Sequence, residues 1–259
     1  MSEEPLLEAP DMWGGADYEQ IAQLFAPIHD PLVARLEPRP GERWLDVATG
    51  TGEVALRAAR AGAQTTGLDL SPGLLSKARA KGEEAGLEIQ WDLGNAETLP
   101  YENRAFDVVS SCLGVIFAPD HRAAANELGR VCRSGGRLGL ATWRPKPEID
   151  AVYERFATGP PQFDRDAWAR EESIRKLLDA DFELEFDDGV FYLEAESPEA
   201  AWEFYSTAIP PLKAQLSELE PERKPEFRQA WIDHWSGYRT EDGSVSEPRP
   251  YLFVFGRRR

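Results

Sequence analysis

Between residues 44 and 143 short apolar runs alternate with helical patterns, and this alternation leaves the chain few folds to choose from. Segments 44–48, 65–69, 87–93, 106–111 and 137–143 are apolar and of strand length. Segments 53–61 and 121–131 carry helical spacing between them, and Ser71-Pro72 opens a further helix with Ser as N-cap and Pro at the first helical position. Strand–helix units of about 20–25 residues predict a parallel, doubly wound α/β sheet with helices on both faces.

The flanks differ. Over 18–36 apolar residues recur at Ile21, Leu24, Phe25, Ile28, Leu32, Val33 and Leu36, which predicts helix, and Pro27 and Pro31 are expected to split it in two. After residue 147, helices are expected over 148–158, 166–179, 198–208 and 212–236. Extended chain is expected over 182–194, interrupted by Asp187-Asp188-Gly189, and a closing strand over 251–255. The expected organisation is an N-terminal helical cap (1–40, with a loose entry segment over 1–16), a cofactor-binding core (41–147) and a C-terminal part (148–259). Lid helices at about 198–236 would precede the closing strand and sit above the sheet's carboxyl edge, where open α/β folds bind ligands.

A formal charge of −17 disfavours nucleic acid and anionic membrane surfaces as partners. Cys112 and Cys132 alone make no disulfide framework and suggest a reducing compartment. The acidic amino terminus does not resemble a signal peptide, and no apolar stretch reaches membrane-spanning length, so a cytoplasmic protein is expected. The histidines and cysteines are scattered without ligand spacing, so no metal site is expected.

The most specific chemistry lies in Leu45-Asp46-Val47-Ala48-Thr49-Gly50-Thr51-Gly52-Glu53, where a strand ends in an acid and a glycine-rich turn leads into a helix. Glycines let a ligand approach the backbone, and the helix start offers free N–H groups to an anion such as a carboxylate. The same stretch fits the dinucleotide pattern G-x-G-x-x-A, with Asp69 about twenty residues on. Asp46 weighs against that reading, because a carboxylate beside the turn repels a pyrophosphate. It favours S-adenosylmethionine (SAM), which has no phosphate and carries an ammonium and a sulfonium. Asp69, at the end of the second strand, can accept both ribose hydroxyls. Asn95 follows the third strand and can hydrogen-bond an adenine edge. The fourth strand ends in small residues around Cys112, suited to the floor of a cofactor cleft.

With LDVATGTGE, GLDLSPGLLSKAR, GNAETLPYENRAFDVV, GVIFAPDHRAAANELGRVCRSGG and RLGLATW in that order, residues 43–143 resemble the SAM-binding core of class I methyltransferases, in the UbiE-like or type 11 group. The resemblance implies a Rossmann-like sheet of seven strands, mainly parallel with the last antiparallel, and a helical lid. It implies that Asp46, Gly50 and Gly52 surround the methionine part of SAM, with Ala48 and Thr49 also among the cofactor-binding residues. Asp69 would then hold the ribose, Leu70 would lie against the adenine, Asn95 and Ala96 would meet its polar edge, and Cys112 would lie near the sulfonium. Two positions depart from the family pattern: Ala48 stands where many relatives have glycine, and Asn95 where they have Asp.

The expected activity is methyl transfer from SAM to a small-molecule acceptor by in-line displacement, leaving S-adenosylhomocysteine. A nicotinamide-dependent oxidoreductase, or a SAM-binding protein without transferase activity, are the alternatives. His29, His121, His234 and Tyr18 are the candidate bases. Trp13, Tyr18, Trp143, Trp202 and Tyr205, with Trp231 and Trp235, are candidates for an aromatic acceptor pocket.

Overall fold

A computed structural model describes Trp13 and residues 18–159 and 166–259. Apart from Trp13, the entry segment 1–16 lies outside the described residues. One sheet runs through the molecule, made of β1 (Arg43–Val47), β2 (Gln64–Asp69), β3 (Ile89–Leu93), β4 (Phe106–Cys112), β5 (Cys132–Trp143), β6 (Phe182–Ala195) and β7 (Val245–Arg258). Its order is β3-β2-β1-β4-β5-β7-β6. The first five strands pair with one another in parallel, whereas β7 is antiparallel to both β5 and β6. The chain moves outward from β1 to β3 and returns to β4. The strand order therefore reverses between β1 and β4, which opens a crevice at their carboxyl ends.

The helices are α1 (Tyr18–Leu24), α2 (Ala26–Leu36), α3 (Glu53–Arg60), α4 (Pro72–Glu84), α5 (His121–Val131), α6 (Pro147–Arg155), α7 (Glu171–Leu178), α8 (Pro198–Ala208), α9 (Pro210–Glu218) and α10 (Lys224–Ser236). Side chains alternate across the strands and feed two cores. Trp44, Val108, Phe253 and Phe255 face α2, α6, α8 and α10. Leu45, Val109, Leu252 and Val254 face α5 and α7. Short polar caps start several helices: Ser71 Oγ accepts from Leu74 N at 3.0 Å, Asp120 Oδ1 from Ala123 N at 2.9 Å and Ser197 Oγ from Ala200 N at 3.1 Å.

Four sequence expectations need correction. Pro31 lies inside α2 and does not end it. Pro27 and Pro31 are both exposed, so water can serve the carbonyl that Pro31 leaves unbonded, while Ile28, Leu32 and Leu36 hold the helix on the sheet. Asp187-Asp188-Gly189 does not interrupt β6, which pairs with β7 without a break from Phe182 to Ala195. A Cβ at Gly189 would stand 2.1 Å from Cζ of Tyr251 on β7, so this glycine makes room for a ring.

The closing strand begins at Val245 and not at residue 251, because β5 pairs only with residues 251–257 of β7. Before that point the β5-side edge of β7 meets no strand among the described residues, though Val245 bridges to Arg239 and Arg144 N bonds the Pro250 carbonyl, and such an edge tolerates Pro248 and Pro250. Finally, the expected helix over 212–236 is two: α9 ends at Glu218, and Pro221 opens a short 3-10 turn (Pro221–Arg223) before α10. No helix among the described residues is long and apolar enough to cross a membrane.

Candidate functional site

At the crevice between β1 and β4 the chain leaves β1 through a strained turn. Ala48, Gly50 and Gly52 have φ of 53°, 58° and 85°. Asp46, only 1% exposed, accepts from Thr49 Oγ1 at 2.6 Å and Ser110 Oγ at 2.7 Å. Ser110 is itself held by Trp44 Nε1 at 2.8 Å. Asp69 reaches from β2 to the same turn, accepting from Gly50 N at 2.7 Å and Ser71 N at 2.9 Å. Two buried carboxylates therefore flank one glycine turn. Burial, with the charge of Asp69 adding to it and the two hydroxyl bonds opposing, pushes Asp46 up to about 7.

These groups form one wall of a cleft of about 290 Å³. Of the sequence-designated cofactor residues, Asp46, Ala48, Thr49, Gly50, Asp69, Leu70, Asn95, Ala96 and Cys112 line it. Leu70 is 49% exposed, an apolar flank at the cleft edge. Asn95 Oδ1 accepts from Glu97 N at 2.9 Å, so its carbonyl already serves its own loop. Gly52 does not line the cleft: a Cβ there would lie 2.6 Å from the Trp91 ring, so this glycine, at the start of α3, is required for packing. The cleft also contains His29 and Thr51, whose Nδ1 and Oγ1 are buried without partners. Thr51 gave no signal in sequence, since its hydroxyl becomes an orphan only after folding.

Among the described residues the cleft wall carries Asp46, Glu53, Asp69 and Glu97 and neither lysine nor arginine. His29 adds no cation near neutral pH, because burial and the nearby Arg57 lower its pKa to about 4. At the rim Glu53 binds Lys81 (2.8 Å) and Arg57 (2.8 Å), and Arg57 binds Asp30 (2.5 Å), tying α2 to α3 and α4.

Trp13, Tyr18, Phe25, Leu113 and Phe117 separate this cleft from a second chamber of about 260 Å³, with Trp143, Tyr153, Trp168 and Trp231 on its walls. Trp202 and Tyr205 do not line it. Trp202 packs edge-on to Phe227 at 5.9 Å, and Tyr205 donates to the Glu194 carbonyl at 3.1 Å in the core. Trp235 is likewise buried in the core beside Tyr205.

Of the candidate bases, His29 lines the first cleft and not this chamber, and the two other histidines are engaged. His121 Nδ1 accepts from Trp168 Nε1 at 3.0 Å, and His234 Nε2 bonds Glu247 Oε1 at 2.8 Å. Tyr18 does lie at the junction, where burial and the charge of Asp69 push its phenol well above the ordinary range and keep it protonated. Burial, followed by the charge of Asp46, does the same to the Cys112 thiol.

The family model for a methyltransferase domain matches residues 45–140, which hold the turn, both acids and most of the cleft. Residues 45–140 are a methyltransferase domain. An uncharacterized protein of Mycobacterium bovis is 48% identical over 136 residues, 52% of this chain and 50% of that protein. The ubiquinone/menaquinone biosynthesis C-methyltransferase UbiE of Cereibacter sphaeroides is 32% identical over 164 residues, 58% of this chain and 66% of that enzyme. The chain thus spans about half the length of the first curated relatives it matches. Its fold is shared with a Haemonchus contortus phosphoethanolamine N-methyltransferase 2, solved with phosphomonomethylethanolamine and S-adenosylhomocysteine. The TM-score is 0.61 at 16% identity, covering 93% of this chain and 56% of that one.

Within the methyltransferase domain, Ala48 keeps a left-handed backbone that L residues adopt at a cost of about 1–2 kcal/mol. Gly114 gives it room, since a Cβ there would stand 2.5 Å from that of Ala48. Ala48→Gly should release this strain, offset in part by the freer unfolded chain, for a net gain of about 0.5–1 kcal/mol. The check is thermal denaturation, with a rise in midpoint of about 2 °C.

Proposed function

We propose that the chain is a SAM-dependent methyltransferase that acts on a small molecule held in the chamber beside the cleft. The observation that carries this reading is the charge of the cleft wall, with four acids and no lysine or arginine among the described residues. Such a wall attracts the ammonium and sulfonium of SAM and repels the pyrophosphate of a nicotinamide dinucleotide. The unpartnered His29 Nδ1 and Thr51 Oγ1 fit the same cofactor, offering polar contacts to its amino-acid end. When bound, SAM supplies an electrophilic methyl group with a thioether as leaving group.

The protein's own task is to align the acceptor and exclude water, and alignment alone can lower a barrier by about 7–11 kcal/mol. Tyr18, Phe117 and Trp13 close the junction with apolar surface. Among the described residues that form the junction no histidine or carboxylate stands, so the acceptor atom is a nucleophile without help or loses its proton to water. Helices α9 and α10 contribute Ile209, Pro210, Pro211 and Trp231 to the chamber and, with α8, act as its lid over the core. Two free cysteines suit a reducing cytoplasm.

Isothermal titration tests the cofactor: SAM and S-adenosylhomocysteine should bind and NADH should not, and Asp69→Ala should weaken SAM at least about a hundredfold, roughly 2.7 kcal/mol. NADH binding in place of SAM overturns the reading. Cofactor binding with no methylated product across a broad acceptor panel would make this a SAM-binding protein without transferase activity.

A further inference from the structure

The walls of the second chamber are aromatic, yet its buried polar atoms are not all satisfied. Trp231 on α10 is 2% exposed and its Nε1 has no hydrogen-bond partner. Arg249 on β7 lies 3.1 Å from Glu247 Oε2, but its buried Nε makes no aligned hydrogen bond. Both residues line the chamber, Trp231 with a donor that has no acceptor and Arg249 with a charge that shares the Glu247 carboxylate with Lys146. A buried donor left without an acceptor costs about 1–3 kcal/mol, so this wall is built to be completed by an oxygen.

The local charge has the same sense. Glu247 is fully buried and bonds Lys146, Arg249, His234 and Trp235. One carboxylate thus faces two basic side chains, Lys146 and Arg249, both on the chamber wall. Lys146 also donates to the Pro248 carbonyl at 2.8 Å and sits over the Tyr238 ring at 4.3 Å, so it is held in place. The wall's two carboxylates, Asp150 and Asp166, have partners of their own, and Asp166 pairs with Arg170 at 3.3 Å at the exposed mouth.

We infer that the acceptor is a flat, largely apolar molecule carrying an anionic oxygen, such as a carboxylate, that is held by Trp231 Nε1 and the Arg249 guanidinium away from the atom to be methylated. This assignment rests on the methyltransferase reading for the word acceptor, but the chamber's preference can be measured without it. Two faces of recognition follow from the wall. An aromatic acceptor packs against the rings of Trp143 and Tyr153, and its anion meets the Trp231 N–H and the Arg249 guanidinium. A cationic aromatic compound fits the rings equally well and is repelled by Arg249 and Lys146.

The test is calorimetric titration with two isosteric probes, 2-naphthoate and 2-naphthylmethylammonium, with and without S-adenosylhomocysteine. Naphthoate should bind at least about tenfold tighter than the ammonium. Arg249→Met should remove that preference, and Trp231→Phe, which keeps a ring and deletes only the N–H, should weaken naphthoate about threefold. Neither residue lines the cofactor cleft, so S-adenosylhomocysteine binding should be retained in both variants, which also shows that they fold. If Arg249→Met does not fold, Trp231→Phe decides. Equal or tighter binding of the ammonium, or a naphthoate affinity untouched by both substitutions, overturns the assignment. Failure of S-adenosylhomocysteine to bind the wild type overturns the methyltransferase reading instead, and leaves the two-probe comparison standing.

Discussion

Replacing Asp46 by Asn is expected to stabilise the cofactor-free protein at pH 8, leave it nearly unchanged at pH 5, and weaken SAM about a hundredfold or more. Asp46 is buried and its carboxyl is pushed up to about 7, whereas in the unfolded chain it titrates near 3.8. The folded state therefore holds this proton more tightly than the unfolded one. The stability linked to it is fully present below about pH 4 and is lost as the pH rises through about 7. Each pH unit of difference is worth about 1.4 kcal/mol, so the loss reaches a few kcal/mol at pH 8.

Asparagine has the shape of the acid and no charge to desolvate; one of the Thr49 and Ser110 hydroxyls can rotate to accept from its amide N–H while the other keeps donating to its carbonyl oxygen. A gain of about 1–3 kcal/mol at pH 8 is the expected net, visible as a higher melting temperature. In the proposed function the same carboxylate, once ionised, is expected to hold the ammonium of the cofactor. Wild-type affinity for SAM should accordingly rise from pH 6 to pH 8, and the Asn variant should show a flatter profile. Equal stabilisation at both pH values, or an unimpaired affinity for SAM, would contradict the argument. Asp46 is thus a residue whose function is opposed to the stability of the empty fold.

How much of this could be read beforehand depended on the distance over which each signal acts. The strands and helices from 43 to 143 were readable because their cues are local: alternation within a strand, Ser71 and Pro72 at a helix start, glycines in the turn. The acids flanking that turn were readable for the same reason. The glycine of β6 was misread because its partner, Tyr251, is distant in sequence and touches it only across the sheet.

The first half of β7 carries Pro248 and Pro250, which suit no inner strand, and nothing local reveals that this half lies on an edge. Trp202 and Trp231 are indistinguishable as residue types, yet one packs into the core and the other borders the chamber. Gly52 matched a ligand-binding pattern and answers instead to the Trp91 ring. Sequence pointed to the cleft beside the glycine turn because much of that wall comes from one continuous segment. It blurred the acceptor chamber because that chamber is assembled from α1, α6, α10, β5 and β7.

Replacing Glu247 by Leu should destabilise the protein by about 3–5 kcal/mol, the largest effect expected of any single substitution outside the apolar cores. Glu247 is 0% exposed and accepts from Trp235 Nε1 at 3.1 Å while pairing with His234, Lys146 and Arg249. Burial alone would raise its pKa. The His234 bond, the charge of Arg249 and the Lys146 bond outweigh that and hold it at about 2. A carboxylate held below its unfolded value contributes stability that is present above about pH 4.5 and disappears as the pH falls toward 2. Removing it leaves Lys146 and Arg249 facing each other in a poorly hydrated site, with the Trp235 indole unpartnered, so the loss exceeds that of the ion pairs themselves.

Urea denaturation at pH 7 is the measurement, with a lower midpoint at an unchanged slope. Adding Lys146→Met to the Leu variant should recover part of the loss, because one of the stranded cations goes with it. A loss under about 1 kcal/mol would mean that water reaches the site and that the cluster is screened. Hydrogen exchange should quicken most in α10, which Glu247 fastens to β7 through His234 and Trp235. As α10 also carries Trp231, the variant that loses this carboxylate should lose the fixed geometry of the chamber wall before it loses the cofactor cleft on the other side of Tyr18.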